Sequence, residues 1–155
     1  MMNVQQGFTL TELILVVALL GILSAVGMSL FARPDTFAGL AARDQMIAFS
    51  LLAQKQALAN SGDSAAVSLQ FSQTASDWQL GVWRGSDTVV AAAVPRHGLT
   101  LSVNGSVLTD GQTGTISYGH DAATGGNYQW LISGSEQAAL CITSTGFAHS
   151  GNCQP

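Results

Sequence analysis

Three regimes of hydrophobic patterning follow one another along the chain. From Leu13 to Ala32 there is no Asp, Glu, Lys or Arg, and about 20 residues rising 1.5 Å each suffice to cross a hydrocarbon core of ~30 Å. This run predicts a membrane-spanning helix. Within it Gly21, Ala25 and Ser29 recur at intervals of four and line one helical face, the small-residue pattern through which helix backbones approach closely. A cleaved secretory signal is the alternative reading, but MMNVQQ has no basic side chain and the apolar run exceeds the usual length of such a signal.

In the second regime, apolar residues space out by three, four and seven. Arg33 precedes Pro34 and is pushed from helical angles, so a kink or short break is expected there, with Asp35 or Thr36 capping a new start. Phe37, Leu40, Ile47, Leu51 and Leu58 then form a stripe, which predicts an amphipathic helix ending near Asn60 with that face packed on a globular domain.

After residue 62 the period becomes two. Residues 66–71, 78–83, 88–94, 99–103, 115–118, 128–132 and 139–143 alternate, parted by Gly, Asn, Asp and Ser clusters, and predict about seven antiparallel strands. A long N-terminal helix, membrane-spanning and then amphipathic, packed on an antiparallel β domain makes the fold class α+β.

Charge narrows the function. Residues 61–155 hold only Arg84 and Arg96 as fixed cations against Asp63, Asp77, Asp87, Asp110, Asp121 and Glu136. A surface that tracks phosphates needs clustered Lys and Arg, so no nucleic-acid partner is expected. Cys141 and Cys153 enclose a short Ser/Thr/Gly-rich loop and, behind an export segment, read as a disulfide; a metal site with His149 is the weaker reading.

Motifs of catalysis are missing from the sequence: there is no G-x-S-x-G, P-loop or G-x-G-x-x-G. His97, His120 and His149 lack partners at ligand spacing and read as loop residues, so no metal, cofactor or catalytic residue is expected. The loops around Asp110 and Asp121 lack the dense alternating oxygens of a calcium loop. Trp78, Trp83 and Trp130 fall in predicted strands, where packing is the usual role and a carbohydrate-stacking platform the other reading.

Glu12 stands at the mouth of the apolar run, and an ionised carboxylate at the edge of hydrocarbon needs a cation. Residues 1–32 supply no basic side chain, so the natural partner is a free α-amino group. Gly7, Phe8, Thr9, Leu10 and Glu12 followed by an apolar helix resemble the type IV prepilin signature. The resemblance implies cleavage by a prepilin peptidase between Gly7 and Phe8, N-methylation of Phe8, and a docking role for Glu12 in filament assembly. It also implies a leader over 1–7, a transmembrane and assembly segment over 8–32, an amphipathic half-helix over 33–60 and a β domain with a C-terminal disulfide loop over 61–155.

The order of elements is similar to the GspH/FimT group of minor pilins and pseudopilins. Within that group RDQ at 43–45, AQKQALA at 53–59 and ALCITSTGF at 139–147 look most like the C-type minor pilins of the mannose-sensitive haemagglutinin pilus. The implied partners are other major and minor pilins, the prepilin peptidase, the inner-membrane assembly platform and the membrane itself. The implied location is the bacterial inner membrane with a periplasmic β domain, then the extracellular filament. A type II secretion pseudopilin, a filament-tip binding module and a DNA-uptake pilin are the rival readings.

Overall fold

The computed structural model describes residues 9–31, 34–62 and 64–154, with the side chains at 25, 26, 28–31 and 34–36 outside that description. Gly7 and Phe8 lie outside the described residues, as does the expected break at Arg33. The chain divides into two compact units, Met1–Pro34 and Asp35–Pro155.

Among its described residues the first unit holds the helix α1, over Leu10–Phe31. Its described side chains are apolar on every side: Leu13, Ile14, Leu15, Val16, Val17, Leu19 and Leu20 are all at least half exposed. A helix without a polar face has no water side, so α1 is built to be covered by something else.

Among the described residues the second unit holds α2 (Pro34–Ala59) and nine strands: β1 (Val67–Gln73), β2 (Asp77–Arg84), β3 (Asp87–Pro95), β4 (Thr100–Val103), β5 (Ser106–Val107), β6 (Thr113–Tyr118), β7 (Tyr128–Ser133), β8 (Gln137–Ile142) and β9 (Ala148–Ser150). Pro34 takes the first helical position, where its fixed φ suits the turn, so Asp35 and Thr36 fall inside the first turn instead of capping it. All seven expected strands are present, and the expected count is corrected to nine by β5 and β9. Both additions are too short to show alternation. β5 follows an Asn104-Gly105 turn with both residues at positive φ, the hairpin geometry this dipeptide favours.

The strands form two antiparallel sheets, one ordered β3-β2-β1-β6 and the other β5-β4-β7-β8-β9. Their inner faces share one core with α2. Phe71 of the first sheet meets Trp130 of the second with ring centroids 4.6 Å apart. The Phe71 ring lies over Gly114, where a Cβ would stand 2.1 Å from it, so β6 needs a glycine at that point.

The face that α2 buries differs from the expected stripe. Ala42, Met46, Ser50, Ala53 and Ala57 are buried, whereas Phe37 is 68% exposed and Leu58 54%. Ile47 and Leu51 are only partly buried against the core. Small side chains let the helix backbone close on the sheets, as at Gly39, where an added Cβ would just touch Leu99, Ile132 and Ala138. The large apolar residues were the stronger periodic signal, but the seam of small ones makes the closer fit.

Candidate functional site

At the start of α1, Thr9 and Glu12 cap the helix reciprocally. The Glu12 N–H donates to Thr9 Oγ1 at 3.3 Å, and Glu12 Oε2 accepts from the Thr9 N–H at 3.1 Å and from Thr9 Oγ1–H at 3.0 Å. This capping box satisfies orphaned helix donors and fixes the carboxylate on the first turn, at the positive end of the helix dipole. The T-x-x-E spacing at 9–12 could have been read from the sequence as this device. Glu12 therefore has a local partner besides any cation in a neighbouring chain.

Beyond Glu12, Gly21 leaves its side of α1 open, with nothing within 4 Å of a built Cβ. Ala25 and Ser29 follow it at one-turn intervals in the same helix, with their side chains outside the description. Ser24 turns inward on the backbone, its hydroxyl donating to the Leu20 carbonyl at 2.7 Å. The described side chains of α1 run unbroken only from Leu10 to Ser24, short of the ~20 a crossing takes. Among the described residues no helix is long and apolar enough to cross a membrane.

In the second unit, Cys141 and Cys153 form a disulfide with Cα atoms 5.0 Å apart. The bond draws the C-terminal segment over the outward face of the second sheet, where Cys141 is fully buried. Gln129 reinforces it: its Oε1 accepts from the Cys153 N–H, and its amide N–H groups donate to the Trp130 and Leu140 carbonyls. Nearby, Phe147 stacks on His149 at 6.3 Å, and His149 Nδ1 lies 2.9 Å from the Ser150 carbonyl.

The outward face of the first sheet is arranged differently. Strand register aligns Thr88, Trp83, Ser68 and Ser117 in one row, Ala91, Gly81, Gln70 and Thr115 in the next, and Ala93, Gln79, Ser72 and Thr113 in a third. Trp78 and Trp130 are fully buried, so the sequence-level choice between packing and platform is decided for them. Trp83 is the half-buried exception on this outward face.

Polar chemistry around the core is spent on structure. Arg96 pairs with Asp110 at 2.8 Å and lies over the Trp78 ring, 6.0 Å from its centroid, while Gln73 bridges Asp110 and the Trp78 indole N–H. Asp121 accepts from the Ala123 N–H in a local turn. Tyr118 is buried with its hydroxyl unpartnered, and burial pushes its pKa up to about 12, a shift that nearby Ser50 moderates. Among the described residues no group of three His, Cys, Asp or Glu is placed to hold a metal ion.

Residues 2–28 match the family described as the prokaryotic N-terminal methylation motif. The match supports a type IV pilin-like protein. The motif fits a pilin processed by prepilin peptidase and assembled with other pilins, a membrane-anchored filament subunit. The match covers the segment that holds Gly7, Phe8, the Thr9–Glu12 cap and Gly21. No curated protein and no solved structure gives a significant match.

Proposed function

We propose that the chain is a minor pilin of a type IV pilus of the mannose-sensitive haemagglutinin kind, serving surface attachment. The observation that carries this reading is α1: apolar on every described side, with one capped carboxylate at its mouth, inside a methylation motif. Such a helix is covered first by lipid and then by the helices of neighbouring subunits. Prepilin peptidase cuts between Gly7 and Phe8 and methylates Phe8. Residues 8–32 hold the subunit in the inner membrane with the β domain in the periplasm, and the assembly platform moves it into the filament.

Gly21, Ala25 and Ser29 admit a neighbouring helix, and Glu12 meets the amine of a neighbouring Phe8. The disulfide suits the oxidising compartment that the β domain reaches. Outward Phe37, Leu40 and Leu58 on α2 give the assembled filament further apolar area.

Two substitutions separate the roles of Glu12. Glutamine also serves at the third position of a capping box, so Glu12→Gln keeps the helix start while removing the charge. Surface pili sheared from a Glu12→Gln strain are expected to fall at least about tenfold, since stranding a buried amine without its carboxylate costs more than the ~1.4 kcal/mol of a tenfold change, with processing of the N-terminus unchanged. Wild-type piliation in that strain would sink the docking role. Deleting the gene and measuring sheared pili beside exported enzymes tests the rest. Loss of pili with normal export supports the proposal, and normal pili with enzymes trapped in the periplasm makes the chain a secretion pseudopilin.

A further inference from the structure

The polar groups on the outward face of the first sheet are left unspent. Gln70, Ser72, Gln79 and Thr113 make no side-chain hydrogen bond among the described residues. Together with Trp83 and Ala91 they line a groove of about 150 Å³. We infer that this groove is a binding subsite for one neutral pyranose ring of a glycan chain. The inference rests on the second unit alone and stands whether or not the chain is a pilin.

The indole is laid down on the sheet instead of standing off it. A Cβ at Gly81 would stand 2.8 Å from Trp83 Nε1 and 3.5 Å from Cδ1, so the ring occupies the space that glycine leaves. Register shifts between Val82 and Trp83: Val82 pairs with Val90 but Trp83 with Thr88, which leaves Val89 as the extra residue of a bulge. Bulges re-aim a neighbouring side chain. Here the result is an aromatic face set beside two free amides.

A pyranose fits that chemistry. Its C–H face carries positive charge toward the negative face of an aromatic ring, and each glutamine amide offers both a donor and an acceptor to its hydroxyls. The volume is below the ~300–1,000 Å³ of sites that enclose a whole small molecule. One ring of a longer polymer is the better match. The three rows contain no charged residue, and Asp77 lies one row beyond Gln79 on the same face, so phosphates and acidic polymers are disfavoured. An apolar protein anchor would strip water from four unpaired polar side chains without replacing it.

The test uses the full chain purified in a detergent without a sugar headgroup, titrated by calorimetry with cellohexaose, mannopentaose and N-acetylchitohexaose, and with dextran sulfate as the acidic comparison. At least one neutral oligosaccharide is expected to bind with saturation and to perturb tryptophan emission. Trp83→Ala should weaken it at least about tenfold by loss of the stacking face. Ala91→Lys, at an exposed position opposite Gly81, should block the groove with Tm unchanged. Three results would overturn the proposal: no saturable binding to any of the three at concentrations up to about 20 mM, full binding in a folded Ala91→Lys or Trp83→Ala protein, or tighter binding of dextran sulfate.

Discussion

The two sheets share a core but treat their outward faces in opposite ways. On the second sheet the Cys141–Cys153 bond and the Gln129 amide tie down the C-terminal segment, so outward polar groups hold the chain itself. On the first sheet three rows of neutral polar and small residues around Trp83 have no described segment of the second unit over them. An outward polar residue therefore stabilises the fold where the chain returns to cover it and is free for a ligand where the chain does not. The distinction lies in chain path: one face carries the cysteine that anchors the returning segment, and the other carries none.

The widest separation between the faces should come from the disulfide. Cys141→Ser removes a cross-link between positions 12 apart and is expected to cost about 2–4 kcal/mol by denaturant unfolding. A loss as small as that of an outward substitution on the first sheet would erase the contrast.

The next effect compares the two sides of β6. Tyr118 points inward with a raised pKa of about 12. The folded state holds that proton more tightly than the unfolded chain, so stability is intact below pH ~10 and falls by up to about 1.4 kcal/mol per pH unit as pH rises toward 12. Tyr118→Phe should abolish this alkaline loss and, because the hydroxyl is unpartnered, cost less than about 1 kcal/mol at neutral pH. A pH-titrated unfolding series measures both.

Gln129→Ala on the covered face should cost about 1–2 kcal/mol, because it strips hydrogen bonds from the Cys153 N–H and the Leu140 carbonyl. Ser117→Ala on the open face, beside Tyr118 but pointing out, should change stability by less than about 0.5 kcal/mol. Equal effects of these two substitutions on Tm would mean that the open face is structurally engaged after all.

Much of the first unit was legible because its signals are local. An uncharged run, one carboxylate and a glycine before a phenylalanine are read without knowing what lies across space. The period-two segments likewise gave all seven longer strands within about two residues, the accuracy that alternation and turn residues allow. The capping box is equally local, a T-x-x-E spacing contained in residues 9–12. The α2 seam is hidden from periodicity: large apolar residues dominate the pattern, whereas close packing favours Gly39, Ala42, Ser50, Ala53 and Ala57.

By itself the sequence determined the apolar N-terminal helix, the methylation motif, the switch from helix to strand near residue 62 and the α+β class, because each follows from neighbours along the chain. Only the tertiary structure decided which strands pair, which face of α2 is buried, and that Trp83 stays on an open surface while Trp78 and Trp130 enter the core. Those outcomes depend on contacts between residues far apart in sequence, where shape and the return path of the chain select among faces that look alike when read one residue at a time.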